Sequence, residues 1–219
     1  MDKSIVIEPP CVADSAVIWL HGLGADANDF VPAIRYLNLG HDHGVRFIFP
    51  NAEIQPVTVN GGAFMRSWYD IVETSIERSA DMQGVRKSAE RISKILNLQI
   101  LDGITCKRIF LAGFSQGGAI AAFFGVTSKI RLGGIIAMST YWVGEGSSEL
   151  GSDIKPNELP FLVTHGRDDP VVSFKLGVKL NNVLSSFGFM SEFKSYSMDH
   201  SVSPEQLVDI GQWLKNHLN

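Results

Sequence analysis

Short apolar runs alternate along this chain with longer stretches in which apolar residues recur every three or four positions. The runs are five or six residues long and mostly end at Gly, Pro or His, which is typical of strands buried on both faces. Residues 192–196 alternate apolar and polar side chains instead, which favours an edge strand. The predicted buried strands lie at residues 15–20, 45–49, 108–112, 133–138 and 160–164.

Helical periodicity fills the intervals between these strands. It predicts helices over residues 81–101, 116–126 and 173–187, and Ser203, Pro204 and Glu205 begin a last one with a cap, a proline and an acid. Strands that alternate with helices indicate an α/β fold with a mainly parallel central sheet and helices on both faces. The length predicts a single domain over residues 1–219, with long loops at 51–80 and 141–158. Loops of that length usually form lids or binding surfaces, and we expect these two over the active site.

Composition and charge narrow the classes of function. The net charge of −4 argues against nucleic-acid binding and against steady docking on anionic lipid, because both need a basic face. The apolar stretch at residues 5–7 is too short for a signal peptide, and no stretch approaches the roughly 18 apolar residues of a membrane span. Cys11 and Cys106 are too few for a disulfide framework; we expect two free thiols, with a single bridge between them as the alternative. The sequence therefore predicts a cytoplasmic protein without a transmembrane segment, and no residue spacing indicates a metal or other cofactor.

A G-x-S-x-G motif is centred on Ser115, with Gly113 and Gly117 at its ends. The motif alone is weak evidence, but here it joins a predicted buried strand to a predicted buried helix. That context is typical of a nucleophile elbow, in which a sharp turn exposes the serine hydroxyl at the carboxyl end of the strand. We therefore predict Ser115 as a nucleophile.

The segment His21-Gly22-Leu23-Gly24 follows the first buried strand. In hydrolases with a nucleophile elbow, one oxyanion donor is the backbone N–H after the nucleophile, and the other lies in a loop after an early strand. These positions correspond to Gln116 and Leu23. His21 precedes the nucleophile in the chain, and the usual order is serine, acid, histidine, so we expect His21 to support this loop.

Elimination selects a general base among the three histidines after Ser115. His217 lies at the C-terminus, and His165 precedes the nearest acids, which is the wrong order. His200, in the loop between the last strand and the last helix, remains. Asp168 and Asp169 both follow the strand at 160–164, and the residues alone leave the choice of acid between them open.

Taken together, these segments resemble the acyl-protein thioesterase and carboxylesterase family in its bacterial form. The matching blocks run in order from residue 16 to the C-terminus and include 17–24, 67–70, 113–118, 165–172 and 198–200. The resemblance implies a catalytic triad of Ser115, Asp169 and His200, oxyanion donors at Leu23 and Gln116, and no cofactor. The chain departs from the family pattern at Arg167 and at Tyr141-Trp142.

The two predicted long loops are rich in aromatic residues. They indicate an apolar groove for an acyl chain, with Phe64, Met65, Trp68 and Trp142 as candidate walls, although the same side chains would also serve to pack the loops. We expect a serine carboxylesterase or acyl-protein thioesterase that acts on small esters, lipids or acylated protein through an acyl-enzyme. The alternatives are a lysophospholipase-like esterase and a non-catalytic binding module. Exposed aromatic loops also favour transient membrane contact and a homodimer.

Overall fold

A computed structural model describes residues 4–72, 80–144 and 156–218. Within these residues the chain forms nine strands and four α-helices. The strands are β1 (Ile5–Ile7), β2 (Ser15–Leu20), β3 (Val45–Phe49), β4 (Glu53–Val57), β5 (Ala63–Ser67), β6 (Ile109–Phe114), β7 (Gly134–Met138), β8 (Phe161–Gly166) and β9 (Ser191–Tyr196). The helices are α1 (Met82–Leu101), α2 (Gln116–Thr127), α3 (Phe174–Ser186) and α4 (Pro204–Leu218).

Seven of these strands form the central sheet, in the order β1-β3-β2-β6-β7-β8-β9. Six are mutually parallel, and β1 pairs antiparallel with β3 at one edge, with Ile5 opposite Phe49. The predicted mainly parallel sheet is confirmed, and the alternating segment that became β9 lies at the opposite edge, as predicted. The sequence analysis did not predict β1, because three residues are too few to show a strand pattern.

Hydrophobic cores cover both faces of the sheet. Alternate residues of β2 illustrate this: Ile18 packs in the core that contains α1, α2 and α3, whereas Trp19 packs in the core that contains α4. Both side chains are almost completely buried, which explains why the predicted strands are apolar throughout. The prediction of helices on both faces is confirmed.

Residues 51–80 are more regular than predicted. Strands β4 and β5 form an antiparallel hairpin in which Val57 pairs with Ala63. A 3₁₀ turn at Thr58–Asn60 leads into Gly61 and Gly62, whose φ angles of 67° and 78° glycine adopts without strain. The prediction of an irregular loop was wrong here, because a proline within β4 and two glycines in the turn obscured the strand pattern. Residues 73–79 and 145–155 of the two predicted loops lie outside the described residues.

The parallel strands end at one edge of the sheet, and the candidate site residues follow these ends. His21 follows β2, Ser115 follows β6, Asp169 comes shortly after β8, and His200 comes shortly after β9. Ligands of open α/β sheets bind at this carboxyl edge. In the part of the chain that the structure describes, no helix has the length and apolar character needed to cross a membrane.

Candidate active site

Ser115 occupies a strained turn between β6 and α2. Its backbone has φ 53° and ψ −118°, and such a conformation costs a serine about 1–3 kcal/mol. Three hydrogen bonds hold the turn: the Ser115 N–H donates to Met138 O at 2.9 Å, and Ser115 O accepts from Thr140 Oγ1 at 2.6 Å and from the Ala119 N–H at 3.1 Å. The surrounding structure therefore fixes a conformation that serine alone would not favour.

Glycines make the close packing of this elbow possible. A Cβ atom on Gly117 would lie 2.5 Å from His21 O, and one on Gly118 would lie 2.8 Å from Gly113 O. A Cβ atom on Gly113 would collide with the Gly117 carbonyl. The glycines of the motif thus allow the elbow to approach both its own strand and the loop after β2.

The structure brings Ser115, His200 and Asp169 together in one hydrogen-bonded chain. His200 Nε2 lies 2.9 Å from Ser115 Oγ, and His200 Nδ1 lies 2.7 Å from Asp169 Oδ2. The other carboxylate oxygen of Asp169 accepts the N–H groups of Val171 at 2.9 Å and Val172 at 2.8 Å. The Asp169 side chain is completely buried, whereas that of His200 is 16% exposed and so remains open to solvent.

Asp168, the alternative acid, takes no part in this chain of hydrogen bonds. It is exposed, and its backbone N–H donates to Met198 O at 3.2 Å. Asp199, next to His200, is exposed as well. Arg167, where the chain departs from the family pattern, donates to Ser195 O at 3.2 Å and takes no part in the chain of hydrogen bonds around His200.

The two candidate oxyanion donors belong to chain segments that adjoin Ser115. Gln116 begins α2, and the N–H at that position has no acceptor within the helix. The loop containing Leu23 is adjacent, because a Cβ atom on Gly22 would lie 3.6 Å from Ser115 Cβ. Among the described residues the Leu23 N–H has no hydrogen-bond acceptor, whereas the next N–H, of Gly24, donates to Arg66 O at 2.9 Å. Both N–H groups are therefore available to a ligand.

His21 supports the Leu23 loop from inside. Its side chain is buried, Nε2 accepts the Ala52 N–H at 3.0 Å, and Nδ1 consequently carries the proton and donates to Gly22 O at 2.7 Å. Burial lowers the pKa of His21, which keeps the ring neutral. These contacts match the supporting role predicted from the sequence.

The four predicted groove residues differ widely in position. Phe64 is 74% exposed on β5, and Met65 beside it is partly buried. Trp142 is partly buried and contacts the rings of Phe123 and Phe187. Trp68 is only 2% exposed and therefore offers almost no surface to a substrate, contrary to the expected place of this residue in a groove wall.

The sequence analysis missed a contact of His165. This buried histidine donates from Nε2 to Val172 O at 2.8 Å, and the same nitrogen lies 3.5 Å from Asp169 Oδ2. Burial lowers its pKa. His165 thus holds the turn that contains Asp169. Its position at the end of the strand that leads to both aspartates was the available signal, but the order rule only excluded it as a base.

Comparison with known proteins places this geometry in a family. A profile described as Phospholipase/Carboxylesterase matches residues 1–218. The chain belongs to this phospholipase/carboxylesterase family. Acyl-protein thioesterase 1 of Neurospora crassa is 36% identical over 220 residues, covering 95% of this chain and 90% of the relative. A rice protein (Oryza sativa subsp. japonica) named "Probable carboxylesterase" is 36% identical over 209 residues, covering 93% and 78%.

Solved structures agree with this assignment. The crystal structure of Arabidopsis thaliana SOBER1 superimposes with a TM-score of 0.87 at 30% identity, covering 94% of this chain and 99% of the other. Acyl-protein thioesterase 2 of Zea mays gives a TM-score of 0.85 at 24% identity, covering 99% of both chains. The chain has the α/β-hydrolase fold and is a hydrolase acting on ester bonds, as the sequence predicts.

Proposed function

We propose that the protein hydrolyses acyl esters and thioesters with Ser115 as nucleophile, His200 as general base and acid, and Asp169 as the group that orients His200. The observation that carries this proposal is the unbroken chain of hydrogen bonds from Asp169 Oδ2 through both nitrogens of His200 to Ser115 Oγ, with contacts of 2.7 and 2.9 Å. This arrangement has the geometry of a Ser-His-Asp triad.

Acylation begins when Ser115 Oγ attacks the carbonyl carbon of the substrate. The hydroxyl proton moves to His200 Nε2, while the buried carboxylate of Asp169 stabilises the resulting imidazolium through Nδ1–H. The carbonyl oxygen becomes an oxyanion that the N–H groups of Leu23 and Gln116 are proposed to bind. The intermediate collapses, the bond to the leaving alcohol or thiol breaks, and the leaving group takes the proton from Nε2. An acyl-enzyme remains on Ser115.

Deacylation repeats these steps with water. His200 Nε2 takes a proton from the attacking water, the same two N–H groups bind the second oxyanion, and Ser115 regains its proton as the acid leaves. The partial exposure of His200, at 16% of its side chain, leaves this water a path to the imidazole.

The proposed substrates carry acyl chains, on small esters, lipids or acylated protein. Phe64, Met65 and Trp142 are the remaining candidates for contacts with the chain, because they are exposed or only partly buried. The acyl-protein thioesterases among the relatives support a thioester or acylated protein as donor. Each buried methylene would contribute about 0.8 kcal/mol, so two more carbons should strengthen binding roughly tenfold until the groove ends.

Paired series of oxygen esters and thioesters with increasing acyl length test the substrate proposal. Activity should rise with chain length from acetate and then level off, and the ratio between the two series identifies the preferred leaving group. A steady decrease from acetate onwards would contradict the acyl groove.

The nucleophile is tested independently of chain length. A fluorophosphonate probe should label the wild-type protein at Ser115, and Ser115→Ala should lose both labelling and hydrolysis. Hydrolysis that survives this substitution would refute the mechanism.

We also propose a cytoplasmic location and a homodimer. The hairpin of β4 and β5 exposes Phe64 and Ile54, at 74% and 61%, which supports self-association. A monomeric mass by light scattering across micromolar concentrations would refute the dimer.

A further inference from the structure

Residues 66–69, which we call the bridging segment, lie between the two chain regions that carry the oxyanion donors. On one side is the elbow with Gln116, and on the other is the loop with Leu23. The pairing of β2 with β6 ends at Leu20 and Gly113, before either donor is reached. The hydrogen bonds of the sheet therefore do not determine the distance between the two N–H groups, and other contacts must do so.

The Gln116 side chain ties the bridging segment to the elbow. Gln116 is 1% exposed, and all the hydrogen bonds of its side-chain amide are made with this segment. Nε2 donates to Ser67 Oγ at 2.9 Å and to Tyr69 O at 2.7 Å, and Oε1 accepts the Trp68 N–H at 2.9 Å. The residue whose backbone N–H is a proposed oxyanion donor is thus fixed by three hydrogen bonds through its own side chain.

Trp68 ties the same segment to the Leu23 loop. Its indole N–H donates to His21 O at 2.9 Å, and its ring contacts the His21 ring with centroids 5.3 Å apart. A second bond joins the same two regions, because the Gly24 N–H donates to Arg66 O at 2.9 Å. Leu23 is therefore flanked on both sides by residues bonded to the bridging segment.

The bridging segment is itself anchored to the body of the fold. Ser88 Oγ on α1 donates to Trp68 O, and Tyr69 shares a hydrogen bond with Tyr141, oxygen to oxygen, at 2.6 Å. The segment is consequently a fixed support rather than a loop that follows its neighbours.

We propose that the bridging segment sets the spacing of the Leu23 and Gln116 N–H groups, with Trp68 and the Gln116 side chain as positioning residues. This inference rests on the proposed function of those two donors. Donors must lie about 2.7–3.1 Å from the oxyanion to act, so a small displacement of either one weakens transition-state binding. Trp68 touches no substrate in this role and acts only through His21 O.

Trp68→Phe tests the inference because it retains an aromatic ring and removes the indole N–H. The chain offers a matched control in Trp19, whose buried indole N–H has no partner among the described residues. Trp19→Phe removes a similar volume from the core without removing a hydrogen bond. Active sites are counted with a fluorophosphonate, so that kcat refers only to folded enzyme.

We expect Trp68→Phe to lower kcat about tenfold with KM nearly unchanged, which is less than the roughly 10²–10³-fold loss caused by removal of a whole oxyanion donor. Trp19→Phe should stay within about twofold of wild type. A trifluoromethyl ketone provides a second measurement, because Ser115 Oγ adds to its carbonyl carbon and leaves an oxyanion between the same donors. Its Ki should rise in Trp68→Phe by the factor by which kcat/KM falls.

Gln116→Met, which keeps the length of the side chain and removes its hydrogen bonds, should produce the same kcat loss and the same rise in Ki. Equal kcat and Ki values for Trp68→Phe and Trp19→Phe, with an active wild type, would overturn the inference and leave the proposed function intact. A wild-type protein without hydrolysis or labelling would overturn both.

Discussion

The two oxygens of Asp169 have different partners, and this difference makes Asp169→Asn a sharp test of the triad. Oδ1 accepts two backbone N–H groups, from Val171 and Val172, and Oδ2 faces His200 Nδ1. An asparagine has one oxygen to offer. The two N–H groups will retain that oxygen, so the amide NH₂ will face His200. Nδ1 must then accept, Nε2 carries the proton, and His200 loses the ability to take the proton of Ser115.

The size of the defect follows from the cost of the opposite orientation. Turning the amide to restore the active tautomer of His200 would leave the N–H groups of Val171 and Val172 without their acceptor. Val172 is buried, so its unpaired N–H costs about 1–3 kcal/mol, whereas Val171 is exposed and loses only the net value of a hydrogen bond, about 0.5–1.5 kcal/mol. At about 1.4 kcal/mol for each factor of ten, this total of about 1.5–4.5 kcal/mol leaves one molecule in about 10 to 2,000 with the active tautomer. We therefore expect kcat to fall by about 10-fold to 2,000-fold, before any loss from the missing negative charge.

Hydrolysis of p-nitrophenyl butyrate at pH 8 measures this loss, and the rate of fluorophosphonate labelling measures it without turnover. Asp168→Asn is the matched control, because the neighbouring side chain is exposed and lies outside the hydrogen-bonded chain, and it should remain within about twofold of wild type. A kcat for Asp169→Asn above a tenth of the wild-type value would refute the reasoning. A larger loss of kcat in Asp168→Asn than in Asp169→Asn would refute the assignment of Asp169 as the catalytic acid.

Three further predictions concern the residues that support the site. Burial lowers the pKa of His21 and His165 below 6.5 in the folded protein. As the pH falls, these two histidines therefore bind protons in the unfolded chain before they do so in the folded protein. The free energy of unfolding should therefore decrease as the pH falls below 6.5, by at most about 2.7 kcal/mol per pH unit for the two histidines together. Equal midpoints of urea unfolding at pH 7.5 and 5.5 would contradict this. His165→Leu should lower kcat about tenfold, because the turn that carries Asp169 would be displaced. His165→Gln keeps a donor for Val172 O and should retain more activity. Equal kcat values for these two variants would argue against a role of His165 in positioning Asp169. Gly117→Ala should lower Tm and reduce labelling of Ser115, because its Cβ atom would lie 2.5 Å from His21 O, and an unchanged Tm would refute this close packing.

Strands and helices that are buried on most of their surface could be predicted, because their burial is recorded as a run of apolar residues in the sequence. Strand β2 is apolar at every position except its first because both of its faces are covered, and the burial of α2 against the sheet makes that helix almost wholly apolar. The elbow was also predictable, because a strained serine beside closely packed strands requires glycines at fixed positions. The chain order of the catalytic groups then left His200 as the base.

Other features depend on contacts that no local pattern records. Asp168 and Asp169 are adjacent and chemically identical, and only the direction of the turn held by Val171, Val172 and His165 separates them. The hairpin of β4 and β5 was missed because Pro56 and the glycines read as a loop. Trp68 resembled a groove residue by its type, but its position is decided by a hydrogen bond to His21 O, 47 residues away in the chain.

The strand order has a consequence for when activity can appear. Ser115 follows β6 in the middle of the sheet, but His200 follows β9, which within the described residues is the last strand and pairs only with β8, at the sheet edge. During synthesis or refolding, the elbow can form while no base is near it. Hydrolysis therefore begins only once the C-terminal edge strand has docked. The recovery of enzymatic activity after dilution from denaturant should report the completion of the sheet, and it should lag behind the recovery of helical signal.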